Sequence, residues 1–290
     1  MIAQCLALAV VALNCAITYL TQAQPFGDKI FNTTIYSNVQ QVQRHTSLLT
    51  PHKFAFTANA LVSSLDLLAM LYLITNRNRQ NHNFDKCSKI WIAANILQTV
   101  QMLIFAIDQI TLSAVAIVPM VACLALMLYT FIPSVQEKAD YMLLLVPLLI
   151  HTGWNTVLAF VNLNMLVLSL SANFQYGVAF VTLVLWLMIG MFIPIQFHGK
   201  LTLPMNVAFV WAFIAIHKNM QGAIAGSPGA FVPACLKTLS PQFAQNFMGA
   251  AIAGALFMSL VSFMMAITPM RKNSPPRACE FEGEKYFAHA

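Results

Sequence analysis

Asp66 and His151 are the two residues of this 290-residue chain most suited to proton chemistry in an apolar setting. Each lies within a long apolar run. A lone carboxylate there tends to take up a proton, and a lone imidazole tends to stay neutral. Both have polar company at helical spacing. At about 100° per residue, Asn59, Ser63 and Asp66 fall in one narrow helical stripe, and His151, Asn155 and Asn162 fall in another with Trp154 at its flank. A third run carries Asn95, Gln98, Thr99 and Gln101, spread more broadly. Two uses suit such residues. Carboxamides and hydroxyls can bond helix to helix, at about 0.6 kcal/mol per bond on average. Alternatively, Asn59, Ser63, Asp66, Gln98, Gln101, His151, Trp154, Asn155 and Asn162 can line a ligand cavity between the second, third and fifth apolar runs. Either use requires both ionisable groups to face the interior, and at least one to have a polar partner on another helix. Asp66 lies fifteen residues after Pro51, whereas His151 lies four after Pro147. At roughly 1.5 Å per residue those depths differ, so separate partners are expected rather than direct contact.

No motif adds a reaction to these groups. The sequence contains no HExxH, GxSxG, phosphate-binding or dinucleotide-binding pattern, so an enzyme is not expected and no cofactor is identified. His198 and Lys200 read as membrane-interface markers. Cys5, Cys15, Cys87, Cys123, Cys235 and Cys279 form no CxxC pair or metal-type spacing, and they read as unpaired small residues.

The elements that hold these residues are membrane spans. Hydrophobic residues make up 59% of the chain and charged residues 8%, against about 25% charged in a soluble domain. So few charges cannot cover a surface facing water, and the chain belongs in a bilayer. Eight apolar segments cover approximately 2–20, 54–74, 90–107, 110–132, 141–171, 174–195, 201–217 and 244–268. Continuous apolar runs without alternation argue for helices over strands. The expected fold is an all-α integral membrane bundle of about eight transmembrane helices. The first segment has no Lys or Arg before it and reads as a membrane helix rather than a signal peptide. The net charge of +6 does not point to nucleic acid, because the basic residues separate apolar runs. With an inside N-terminus, ten Lys and Arg fall on the cytoplasmic side and five on the other, which places both termini in the cytoplasm. The sequon Asn32-Thr33-Thr34 would then lie on an outer loop. Pro119, Pro147, Pro194 and Pro204 permit helix breaks but do not by themselves indicate a transporter.

The fifth run, VPLLIHTGWNTVLAFVNLN, resembles the corresponding span of the translocator protein/tryptophan-rich sensory protein (TspO/MBR) family, through Val146, Pro147, Trp154 and Asn162. Pro51, Phe54 and Phe56 match the entry to that family's second span, and Trp211 resembles a position in the seventh span of its long members. The resemblance covers residues 1–217. It implies a five-helix core over 1–171, followed by a three-helix extension over 172–268 and a polar tail over 269–290. It also implies a non-enzymatic protein that binds or carries a small lipophilic ligand, of the tetrapyrrole, sterol or lipid class. In the family, aromatic side chains help line the pocket. Here the family's tryptophan falls on Asn59, its tyrosine on Ser63 and its third-span tryptophan on Gln101, with Gln98 at the usual asparagine. This exchange of aromatic for polar groups keeps a second reading open, that of a structural or accessory subunit of a larger membrane assembly. The expected partners are the lipid bilayer, a lipophilic small molecule, and other copies or subunits of a membrane complex.

Overall fold

The computed structural model describes residues 2–23, 29–30, 33–34, 36–75, 82–132, 138–196, 203–227 and 230–267. All eight apolar segments are helical. They are α1 (Ile2–Ala23), α3 (Thr57–Thr75), α4 (His82–Ala106), α5 (Ile110–Phe131), α7 (Val146–Met165), α8 (Ala172–Gln196), α9 (Leu203–Ile224) and α10 (Pro241–Ile267). Short pieces connect them. A two-residue ladder pairs β1 (Lys29–Ile30) with β2 (Thr33–Thr34), and α2 (Asn38–Arg44) follows. The chain enters α7 through α6 (Lys138–Asp140) and a π-helical turn, Tyr141–Leu145. Six of the helices have the length and hydropathy to cross a bilayer. Within α1 only Cys5–Thr21 counts as a shorter apolar helix, and α9 is less apolar. Both are nonetheless packed among the others. His198, Lys200, Asn32, Cys279 and the tail over 269–290 lie outside the described residues.

Local chemistry explains where the elements begin and end. Ser37 caps α2 in a reciprocal box with Gln40, each side chain bonding the other residue's backbone N–H. Between α4 and α5 the chain reverses through Asp108, whose φ of 66° is tolerated by Asp better than by most residues. Pro119 sits inside α5, where the bundle holds the helix together.

The helices α1, α3, α7, α5 and α4 close a ring, each packed on the next, with α4 returning to α1. On the other side of α7 lie α9 and α8, and α10 covers both. Protein therefore surrounds α7: 78% of its most apolar window is buried, against 22% for α10. That difference explains why α7 tolerates so many polar side chains while α10 exposes Leu256, Leu260, Phe263 and Ile267. Gly153 brings α7 close to α9, because a Cβ there would lie 2.7 Å from the Met205 carbonyl oxygen. Between α7, α8 and α9, Trp186 packs against Phe160 and Phe213 with rings tilted edge to face.

Candidate functional site

Polar side chains on α3 and α7 meet along the length of the two helices. Near one end the Tyr72 hydroxyl donates to Asp140 at 3.0 Å. Midway, His151 Nδ1 lies 2.6 Å from Asp66 Oδ2, with both side chains 1% exposed. Toward the other end the Trp154 indole N–H donates to the Asn59 side-chain oxygen. Rising numbers on α3 meet falling numbers on α7, so the helices are antiparallel. This corrects the expectation of separate partners for Asp66 and His151. Depths counted from Pro51 and Pro147 run from opposite ends of the bundle, and the helix carrying His151 already starts at Lys138. Both groups do face the interior.

The Asp66–His151 contact is close but not aligned as a hydrogen bond. Both carboxylate oxygens, both imidazole nitrogens and Ser63 Oγ have no hydrogen-bond partner among the described residues. So many unsatisfied atoms in one place are unusual for a folded interior. The two side chains are buried in close contact, and they carry opposite charges only when His151 is protonated and Asp66 ionised.

Next to Asn59, helices α3, α4 and α7 border a partly open cavity of about 40 Å³. Five carboxamide residues line it: Asn59, Gln98, Gln101, Asn155 and Asn162. Apolar side chains, including Phe56, Met102, Phe105 and Leu158, complete the wall, and Val42 of α2 contributes from the loop side. None of the lining residues is charged. Ser63, Asp66, His151 and Trp154 are not part of the lining. They lie on the adjoining stretch of the same two helices, and His151 joins it through its carbonyl, which accepts from Asn155 Nδ2 at 3.1 Å. The volume admits a few water-sized groups. An enclosed site for a drug-sized molecule needs roughly 300–1,000 Å³, so a whole tetrapyrrole or sterol fits only if the helices separate.

One participant escaped the sequence reading. Asn14 of α1 donates to Asn95 at 2.8 Å and to Gln98 at 2.9 Å, and accepts from Thr99 at 3.1 Å. It is the reason that α4 shows a broad polar face: Asn95, Gln98 and Thr99 turn to α1, whereas Gln101 turns to Ser113 of α5. The single Asn in the middle of the first apolar segment was the signal available. Other buried amides serve packing between helices, as Asn164 does with Thr182 and Asn206 with Ser262. Among the described residues no cluster of three His, Cys, Asp or Glu side chains could hold a metal ion. The five described cysteines are free thiols.

Long apolar helices packed around buried polar side chains define an all-α integral membrane protein. A family model described as TSPO-like protein matches residues 4–234, and the chain belongs to that family. The match takes in every helix that touches the cavity and stops before α10. Neither a curated protein nor a solved structure matches the sequence.

Proposed function

We propose that this protein is a non-enzymatic receptor or carrier that binds the polar end of a small lipophilic ligand between α3, α4 and α7. The observation that carries this reading is the convergence of five carboxamides from three helices on one cavity. Interhelical bonding alone does not require them to share a single space. Membership of the TSPO-like family supports the same location, since Asn59 and Gln101 stand where the resemblance puts pocket aromatics. Binding is tested with the full chain in nanodiscs against tetrapyrroles, sterols and neutral lipids. Saturable binding to at least one class is expected, and its absence for all three would overturn the reading. In the same reading both termini lie on the cytoplasmic side, following the excess of Lys and Arg there.

The small cavity volume favours a second reading, that of an accessory subunit whose buried amides only fix helix packing. Native mass spectrometry from mild detergent separates the two. A lone monomer argues against the subunit reading, and stable association with other chains supports it.

A further inference from the structure

We infer that the cavity selects an uncharged head group bearing both hydroxyl and carbonyl functions, while the apolar remainder of the ligand lies outside it; this rests on the ligand-binding reading above. The two ends of an amide side chain cannot be told apart by shape, but their partners decide which end is which. An indole N–H only donates, so Asn59 turns its oxygen to Trp154 and its NH₂ is left free. The His151 carbonyl only accepts, so Asn155 spends its NH₂ there and its oxygen is left free. Gln98 is fixed through a relay. The Trp91 carbonyl takes the NH₂ of Asn95 at 3.0 Å, so the Asn95 oxygen meets the NH₂ of Asn14. That same NH₂ meets the Gln98 oxygen, which leaves the Gln98 NH₂ free. The cavity wall thus carries two fixed donors, Asn59 Nδ2 and Gln98 Nε2, and one fixed acceptor, Asn155 Oδ1. Gln101 and Asn162 are adaptable. Gln101 is held by the Ser113 hydroxyl, which can bond in either sense, and the Asn162 side chain makes no hydrogen bond among the described residues.

This set has three consequences. Five residues with free amide ends exceed the three bonds that a single hydroxyl can make, so the complementary head carries more than one polar function. It must offer at least two acceptors and one donor. It is also uncharged, because the lining contains no cation or anion to compensate a buried charge. The paired carboxylates of a tetrapyrrole do not meet that condition. A glycerol-type head with one hydroxyl and ester carbonyls does, and it is compact enough to need only a small cavity.

The full chain in nanodiscs is titrated with short-chain diacylglycerol, with glycerol diacetate as its tail-free counterpart, and with protoporphyrin IX. Diacylglycerol is expected to bind saturably and more tightly than protoporphyrin IX. Asn162→Leu and Gln98→Met are each expected to weaken that binding about tenfold, the loss of one well-made hydrogen bond. Asn162 has no scaffold bond to lose, so its variant should keep the wild-type melting temperature and report on binding alone. Equal binding of glycerol diacetate would assign the head chemistry to a soluble ligand and still support the inference. Protoporphyrin IX binding that is tighter than diacylglycerol and unchanged in both variants would overturn the inference and leave the ligand-binding reading standing. Absence of binding by every class would overturn both.

Discussion

The Asp66–His151 pair is the most demanding feature at the scale of single residues. Both side chains are sealed from solvent at 1% exposure, so removing one leaves the other without its counterpart. Breaking such a pair typically costs about 3–5 kcal/mol. Asp66→Leu is therefore expected to destabilise the protein by about that much, and Asp66→Leu with His151→Leu should recover most of the loss. Asp66→Asn keeps the shape and removes the charge, so it should lie close to wild type if the pair is neutral and near Asp66→Leu if the carboxylate's charge is used. Denaturant unfolding of the reconstituted variants measures all three, and a double variant as unstable as Asp66→Leu would contradict pairing as the cause. Trp154→Phe offers a smaller test. It removes the N–H donated to Asn59 and, because phenyl is smaller than indole at this buried position, also leaves a cavity, so a loss larger than the roughly 1 kcal/mol of the hydrogen bond is expected by the same measurement.

At the scale of elements, two glycines separate close packing from helix propensity. A Cβ at Gly153 would press on the Met205 backbone, which cannot move aside as a side chain could. Nothing lies within 4 Å of a Cβ built at Gly177 in α8. Gly153→Ala should lower the stability read from thermal melts, whereas Gly177→Ala should leave it unchanged or raise it by up to about 1 kcal/mol of helix propensity. The α2 segment is held differently. Gln41 donates to the Phe105 carbonyl at 2.8 Å, and Asp108 takes Arg44 at 2.8 Å and His45 at 2.6 Å. The Arg44 pair is partly exposed and worth up to about 1 kcal/mol, and the His45 contact adds charge only when the imidazole is protonated. Asp108→Ala also forces a less tolerant residue into positive φ, so its destabilisation should shrink in high salt without vanishing. The turn before α3 adds a pH dependence. Burial, then the charges of Lys53 and Lys218, hold the His52 imidazole below its ordinary range. Its folded form thus binds a proton less readily than its unfolded form. The stabilisation is complete above the ordinary histidine value of about 6.5 and is lost as pH falls through the lower folded value. His52→Asn should remove that acid-side loss in melting curves recorded across pH.

For the whole molecule, α7 is the shared wall between the five-helix ring and α8–α10. Its burial places the polar interior away from lipid, and the lipid-facing work falls mostly to α5, α8 and α10, with Val115, Val181, Met188, Leu256 and Phe263 outward. The proposed placement of both termini on one side requires an even number of crossings, eight if α1 and α9 span together with the six helices that have the length and hydropathy to do so. Single cysteines near residue 2 and in the tail, introduced in a cysteine-free background, should therefore react with an impermeant thiol reagent from the same face of oriented vesicles. Labelling from opposite faces would require an odd number of crossings.

The helical nature of the eight apolar runs was legible from the sequence, because long apolar stretches without alternation fit helices in a bilayer, and six of the resulting helices have the length and hydropathy to cross it. The side of α3 and of α7 that turns inward was legible too. A polar stripe such as Asn59, Ser63 and Asp66 can be read from periodicity alone, since the cost of facing lipid leaves one choice. What periodicity does not contain is direction and depth between segments distant in sequence. The contact of Asp66 with His151 depends on α3 and α7 running antiparallel at one particular offset, and the role of Asn14 depends on α1 lying between α3 and α4. Residue spacing within a helix is a local geometric constant, whereas the register between helices is set by side-chain packing summed over the bundle. The division among the polar residues, five around a cavity and four beside it, was therefore decided only by the tertiary structure.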